Sequence, residues 1–64
     1  MVRINGKDVN AAGVTVENYL RDNTYSQSRI ALEINGEILP KSKYADTVLH
    51  DGDIVEIVSF VGGG

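Results

Sequence analysis

Ile30-Ala31-Leu32-Glu33-Ile34-Asn35-Gly36-Glu37-Ile38-Leu39-Pro40 is the stretch that decides the fold. Ile30, Leu32 and Ile34 alternate with Ala31, Glu33 and Asn35, the period of a strand with one buried face. Asn35-Gly36 follows, a dipeptide whose two residues tolerate the positive φ of a tight hairpin turn. Glu37-Ile38-Leu39 then returns as a short strand. Pro40 stops it and marks it as an edge, because proline cannot donate to a ladder.

The same grammar recurs upstream. Val2-Arg3-Ile4-Asn5 alternates, Asn5-Gly6 turns, and Lys7-Asp8-Val9-Asn10 returns as a second strand. Ala11-Ala12-Gly13 leads out of that hairpin into a helix. Thr15 suits the N-cap, Glu17 the first turn near the positive end of the helix dipole, and Val14 and Tyr19 the two positions of a hydrophobic staple. Val16, Tyr19 and Leu20 share one face and are expected to pack on the sheet. The polar, non-periodic run from Asn23 to Ser28 ends the helix near Asn23.

Downstream, Lys41 to Thr47 has room for one irregular helical turn, and Asp51-Gly52 is a third tight turn. Ile54 to Val61 is apolar on both faces apart from Glu56 and Ser59, which predicts a strand in the middle of the sheet. Two antiparallel hairpins, one helix and a last central strand make an α+β domain. The order fits a β-grasp: a mixed four- to five-stranded sheet with one helix across one face. The expected organisation is one domain over residues 1–61 and a flexible glycine tail over 62–64.

At 64 residues the chain is a single domain. A domain of this size buries only about 60% of the surface its unfolded chain exposes, so its stability is modest. Its apolar fraction is 42% and it has no cysteine, so one packed core holds it without disulfides. No apolar run approaches the ~20 residues that span a bilayer. No leader of basic then apolar residues opens the chain, so a cytoplasmic location is expected. Six basic residues against nine acidic give a net charge of -3. Arg3, Lys7, Arg21, Arg29, Lys41 and Lys43 are scattered, not massed on one stretch, which argues against nucleic acid and for a protein partner with a basic surface.

Side chains offer no recognisable catalytic site. His50, the one histidine, adjoins the Asp51-Gly52 turn and reads as an exposed turn residue. Asp51 and Asp53 lack the distal glutamate of a calcium loop, and no metal site is expected. No P-loop, GxGxxG or GxSxG occurs. An acyl carrier would need a serine for a phosphopantetheine arm, usually in Asp-Ser-Leu, and that tripeptide is absent. No catalytic residue and no bound cofactor are therefore expected.

Gly62-Gly63-Gly64 remains. A glycine run at an end is often only frayed. Two features weigh against that here: the run extends the predicted central strand, and nothing else in the chain is suited to carry a reaction. Three extended residues reach about 10 Å beyond a fold. Without Cβ atoms they fit a narrow channel in a partner. An unhindered carboxylate on Gly64 can be adenylated and then attacked by a nucleophile. On the last strand, Ile54, Glu56, Val58 and Phe60 share one face, and Val55, Ile57, Ser59 and Val61 the other. Val55 and Ile57 are assigned to the core. Val58 and Phe60 then fall on the open face, as candidates for an apolar partner-binding patch, the alternative being that loops bury this face as well.

Val2-Arg3-Ile4-Asn5-Gly6, Ala12-Gly13-Val14-Thr15-Val16, Ala31-Leu32-Glu33-Ile34-Asn35-Gly36, Pro40, Asp51-Gly52-Asp53-Ile54-Val55-Glu56-Ile57 and Gly63-Gly64 occur in this order. In order, spacing and length the chain resembles the ThiS family, the ubiquitin-like β-grasp sulfur carriers of thiamine biosynthesis. The resemblance covers essentially the whole chain. It implies that a ThiF-like adenylating enzyme, using ATP and Mg²⁺, makes an acyl-adenylate at Gly64. Sulfur from a donor such as a cysteine desulfurase then turns this into a thiocarboxylate, and a ThiG-like thiazole synthase takes the sulfur into the thiazole ring. The small subunit of molybdopterin synthase is a neighbouring possibility, but that family is usually longer and often has proline shortly before Gly-Gly. Gly62 departs from the usual carrier ending, which often has a small non-glycine residue there. A ubiquitin-like modifier joined through Gly64 to lysines begins with the same adenylate and stays open, as does an interaction domain with an inert tail.

Overall fold

A computed structural model describes residues 1–60. Its strands are β1 (Val2–Ile4), β2 (Lys7–Val9), β3 (Ile30–Ile34), β4 (Glu37–Ile38) and β5 (Ile54–Ser59), with one helix, α1 (Val16–Asp22). They form one mixed sheet of order β2-β1-β5-β3-β4. Both hairpins are antiparallel, as their two-residue turns require, and β5 lies between them, parallel to β1 and antiparallel to β3. The expected boundary between a 1–61 domain and a tail falls outside the described residues.

Both Asn-Gly turns adopt the left-handed conformation that motivates the dipeptide. Asn5 and Gly6 have φ of 51° and 82°, and Asn35 and Gly36 have 53° and 85°. The alternation then sorts each strand. Val2, Ile4, Ile30, Leu32, Val55 and Ile57 enter one buried cluster with Val16 and Leu20 of α1, while Tyr19 and Ile34 pack against its margin. The helix thus covers one sheet face.

The start of α1 shows how a short helix is held. Thr15 Oγ1 accepts from the Asn18 N–H at 3.2 Å, as an N-cap does. The Val16 and Glu17 N–H groups donate to the carbonyls of Thr47 and Tyr44 at 2.8 and 3.0 Å. Three N–H groups that a helix cannot satisfy internally are thereby paired. Asn23 closes the helix as its C-cap.

That pairing gives the 41–49 segment a larger role than its sequence suggests. One 3-10 turn forms at Lys41–Lys43, as expected for an irregular helical turn. The chain then carries Tyr44 and Leu49 into the core, each 1% exposed. A further 3-10 turn at Gln27–Arg29 lies in the stretch read as non-periodic.

The Tyr44 hydroxyl is buried and finds no hydrogen-bond partner among the described residues. Burial pushes its pKa up from the ordinary tyrosine value. A buried, unpaired hydroxyl costs about 1–3 kcal/mol. Tyr44→Phe is therefore expected to unfold at equal or higher urea concentration than the parent. The raised pKa has a further consequence. Its stabilising contribution is full below the unfolded tyrosine pKa and is lost as pH rises through the folded value. Part of the parent's alkaline destabilisation should thus disappear in Tyr44→Phe, and urea titrations at neutral and alkaline pH check both points.

The candidate carrier strand and its open face

The predicted division of β5 is what the fold displays. Val55 and Ile57 are buried, whereas Ile54, Val58 and Phe60 are 54%, 58% and 52% exposed. The expectation of a central strand holds. Its apolar character on both sides has a different cause, because only one face is covered and the other is open. The strand is also shorter than its apolar run and ends at Ser59. Val61, Gly62, Gly63 and Gly64 lie outside the described residues, so the tail and the Gly64 carboxylate are reached only up to Phe60.

Two asparagine side chains pin this strand, and neither role was anticipated from sequence. Asn5 Nδ2 donates to the Ile57 carbonyl at 3.1 Å, and the Ile57 N–H donates to Asn5 Oδ1 at 2.8 Å. After Ile4 the backbone turns away, and the Asn5 amide takes the place of the next strand residue against β5. On the other side Asn35 Oδ1 accepts from the Ile54 N–H at 3.0 Å, and its Nδ2 donates to Asp53 Oδ1 at 3.1 Å. The repeated Ile-Asn-Gly at 4–6 and 34–36 was the available signal. Each asparagine serves its own turn and clamps β5 as well.

Asn5→Gly keeps the left-handed turn but deletes the amide. We expect it to cost about 1–3 kcal/mol, the scale of the lost bonds and the stranded Ile57 backbone groups. Faster hydrogen exchange at the Ile57 amide should localise the effect.

Where β5 ends, the chain is tied to the residues that open β3. The Phe60 N–H donates to the Arg29 carbonyl at 2.7 Å, and Lys41 Nζ donates to the Ile30 carbonyl at 2.8 Å. His50 is exposed in its turn, as expected. Gly52 has φ of 90°, and Asp53 Oδ2 accepts from the His50 N–H at 2.9 Å, so the Asp51–Asp53 segment is occupied in building a turn. Among the described residues no group of three His, Asp or Glu side chains is placed to hold a metal, and no helix is long and apolar enough to cross a membrane.

The sequence model of the ThiS family matches residues 2–64. This chain belongs to the ThiS family. A sulfur carrier protein ThiS of Bacillus subtilis is 38% identical over 66 aligned positions, covering all of both chains. The crystal structure of a thiamine biosynthesis protein, ThiS, from Geobacter metallireducens superposes with a TM-score of 0.77 at 33% identity, covering 98% of this chain and 97% of that one. The β-grasp assignment is thereby shared with a solved ThiS structure. A protein named thiazole synthase, from Paramagnetospirillum magneticum, is 47% identical over 62 residues, which are 95% of this chain but only 19% of that protein. The chain thus spans about a fifth of the length of that relative.

Proposed function

We propose that the chain is a sulfur carrier for thiamine biosynthesis, a co-substrate of partner enzymes and not itself a catalyst. The observation that carries this reading is the extent of the family match, which runs to residue 64 and so includes the glycines. The fold supports it by supplying a central strand, clamped by Asn5 and Asn35, that is the last described element before those glycines in sequence.

In the proposed sequence a Gly64 carboxylate oxygen attacks the α-phosphorus of ATP on an adenylating enzyme, with Mg²⁺ on the nucleotide. Pyrophosphate leaves and an acyl-adenylate forms. Sulfide, released from the persulfide of a donor such as a cysteine desulfurase by two thiols that leave as a disulfide, attacks the carbonyl carbon. AMP leaves, and Gly64 carries a thiocarboxylate. The sulfur must ride there, because the chain has no cysteine to hold it as a persulfide. Gly62 and Gly63 serve as the thread that enters the enzyme, and Val58 and Phe60 belong to the surface that docks.

The acceptor proposed for the sulfur is thiazole synthase. Two proteins of that name, from Paramagnetospirillum magneticum and Magnetococcus marinus, contain a stretch similar to nearly all of this chain. Covalent linkage raises the effective concentration of two modules that must meet. Such an arrangement is useful when carrier and synthase act together.

Partner-dependent ATP–pyrophosphate exchange tests the first step. The purified adenylating enzyme should exchange label only when this protein is added. Equal exchange without it refutes the assignment. Conjugates of the chain with other proteins in cell extract would favour the modifier reading instead.

A further inference from the structure

Ile-Asn-Gly occurs twice, at 4–6 and 34–36. In an Asn-Gly pair the glycine nitrogen can attack the side-chain carbonyl carbon of the asparagine, because glycine has no Cβ to obstruct the approach. A succinimide forms and the side-chain nitrogen is lost as ammonia. The two copies share the reacting dipeptide and the residue before it, so their intrinsic chemistry is closely matched. What differs is how the fold holds each amide.

A side chain at Gly6 or Gly36 would meet nothing within 4 Å, so both turns are open to solvent. The restraint comes from the asparagine clamps, since the asparagine side chain must leave its partners and swing onto the following nitrogen. Asn5 is held by both backbone groups of Ile57, at 3.1 and 2.8 Å, in part-buried contacts. Ile57 is itself buried and paired with Leu32 on its other side. Asn35 is held by the Ile54 N–H at 3.0 Å and by Asp53 Oδ1 at 3.1 Å, in exposed contacts at the first residue of β5. Strand ends open at lower free energy than strand centres.

We infer that Asn35 is a site of spontaneous deamidation in the folded protein, whereas the clamp on Ile57 protects Asn5. The Gly36 nitrogen bonds to Asn35 Cγ and gives its proton to solvent, the Cγ–Nδ2 bond breaks, and ammonia leaves. Water then opens the succinimide at either carbonyl, giving aspartate or isoaspartate with no change of oxidation state. The neighbour of the site makes the product consequential. A carboxylate oxygen replaces the amide that donated to Asp53 Oδ1, so two like charges face each other where a hydrogen bond stood. The Asp53 side chain is 18% exposed, which limits solvent screening of that repulsion. Its other oxygen is already engaged by the His50 N–H at 2.9 Å. The isoaspartate form also lengthens the backbone of the β3–β4 turn. Either product loosens the entry to β5.

The test incubates the folded parent, the parent in urea and Asn35→Gly at neutral pH, and follows the amide-to-acid mass shift in tryptic peptides. In the folded parent the peptide 30–41 should convert roughly tenfold faster than the peptide 4–7, the factor set by about one hydrogen bond of difference in opening free energy. In urea the two should convert at similar rates. Asn35→Gly, which suits the left-handed turn but has no amide, should show no shift in 30–41. Asn35→Asp, which installs the deamidated side chain directly, should melt roughly 4–8 °C below the parent, the shift that loss of about one such contact produces in a domain of this size. Hydrogen exchange at the Ile54 and His50 amides should quicken in the same variant. Equal or faster conversion at Asn5 in the folded protein overturns the inference, as does an Asn35 that is stable in the fold yet reactive in urea. A parent-like melting temperature for Asn35→Asp overturns the consequence drawn for β5.

Discussion

Deletion of Gly64 abolishes sulfur transfer and leaves the melting temperature at the parent value: this is the largest effect the carrier account expects. Loss of one residue withdraws the carboxylate by about 3.5 Å. Reacting atoms must sit within about 3–3.5 Å and in line, so the shortened tail cannot present its carboxylate to the nucleotide. Gly63→Val should act almost as strongly for a different reason. Its β-branched side chain obstructs a narrow channel and denies the backbone the positive φ that glycine adopts freely. Neither change alters a side chain of the packed cluster around Val2, Leu20, Leu32 and Val55, so folding is expected to have little stake in them. Melting curves run beside pyrophosphate exchange and sulfur delivery separate the two. Parent-like transfer by both variants would reduce the glycines to an ordinary chain end.

Phe60→Ser is expected to weaken binding to the adenylating enzyme by tenfold to a hundredfold. The estimate follows from the burial of a phenylalanine side chain, about 1.5–3 kcal/mol when it passes from water into an interface. In the free protein Phe60 is 52% exposed and lies just beyond β5, so the same change removes little from the core. The melting temperature should fall by only a few degrees, since about 1 kcal/mol corresponds to roughly 4–8 °C in a domain of this size. Titration calorimetry against the purified enzyme, with melting curves on the same samples, gives both numbers. An unfolded Phe60→Ser protein, or one that binds like the parent, would remove this residue from the docking surface.

Much of the fold was legible because its signals are local. The alternation in Ile30–Ile34, the two Asn-Gly turns, the Thr15 cap and the edge proline each act within a few residues, and the sheet follows from their order. Tyr44 and Leu49 were missed for the opposite reason. They enter the core from an irregular segment with no period to betray them, and only the docking of that segment on the helix start explains their burial. The asparagine clamps were missed likewise. Asn5 meets Ile57 across 52 positions of sequence, a contact that exists only after β5 is inserted between the hairpins. Parity separated the two faces of β5, but that loops leave the second face uncovered is seen only in the fold.

The central claim is that sulfur is carried on the carboxylate of Gly64. The most direct test is the intact mass and fragment spectrum of the protein after incubation with ATP, Mg²⁺, the adenylating enzyme and a sulfur source. The account predicts a mass gain equal to exchange of one oxygen for one sulfur, confined to fragments that contain Gly64. Sulfur or AMP mapped to any internal residue would contradict it.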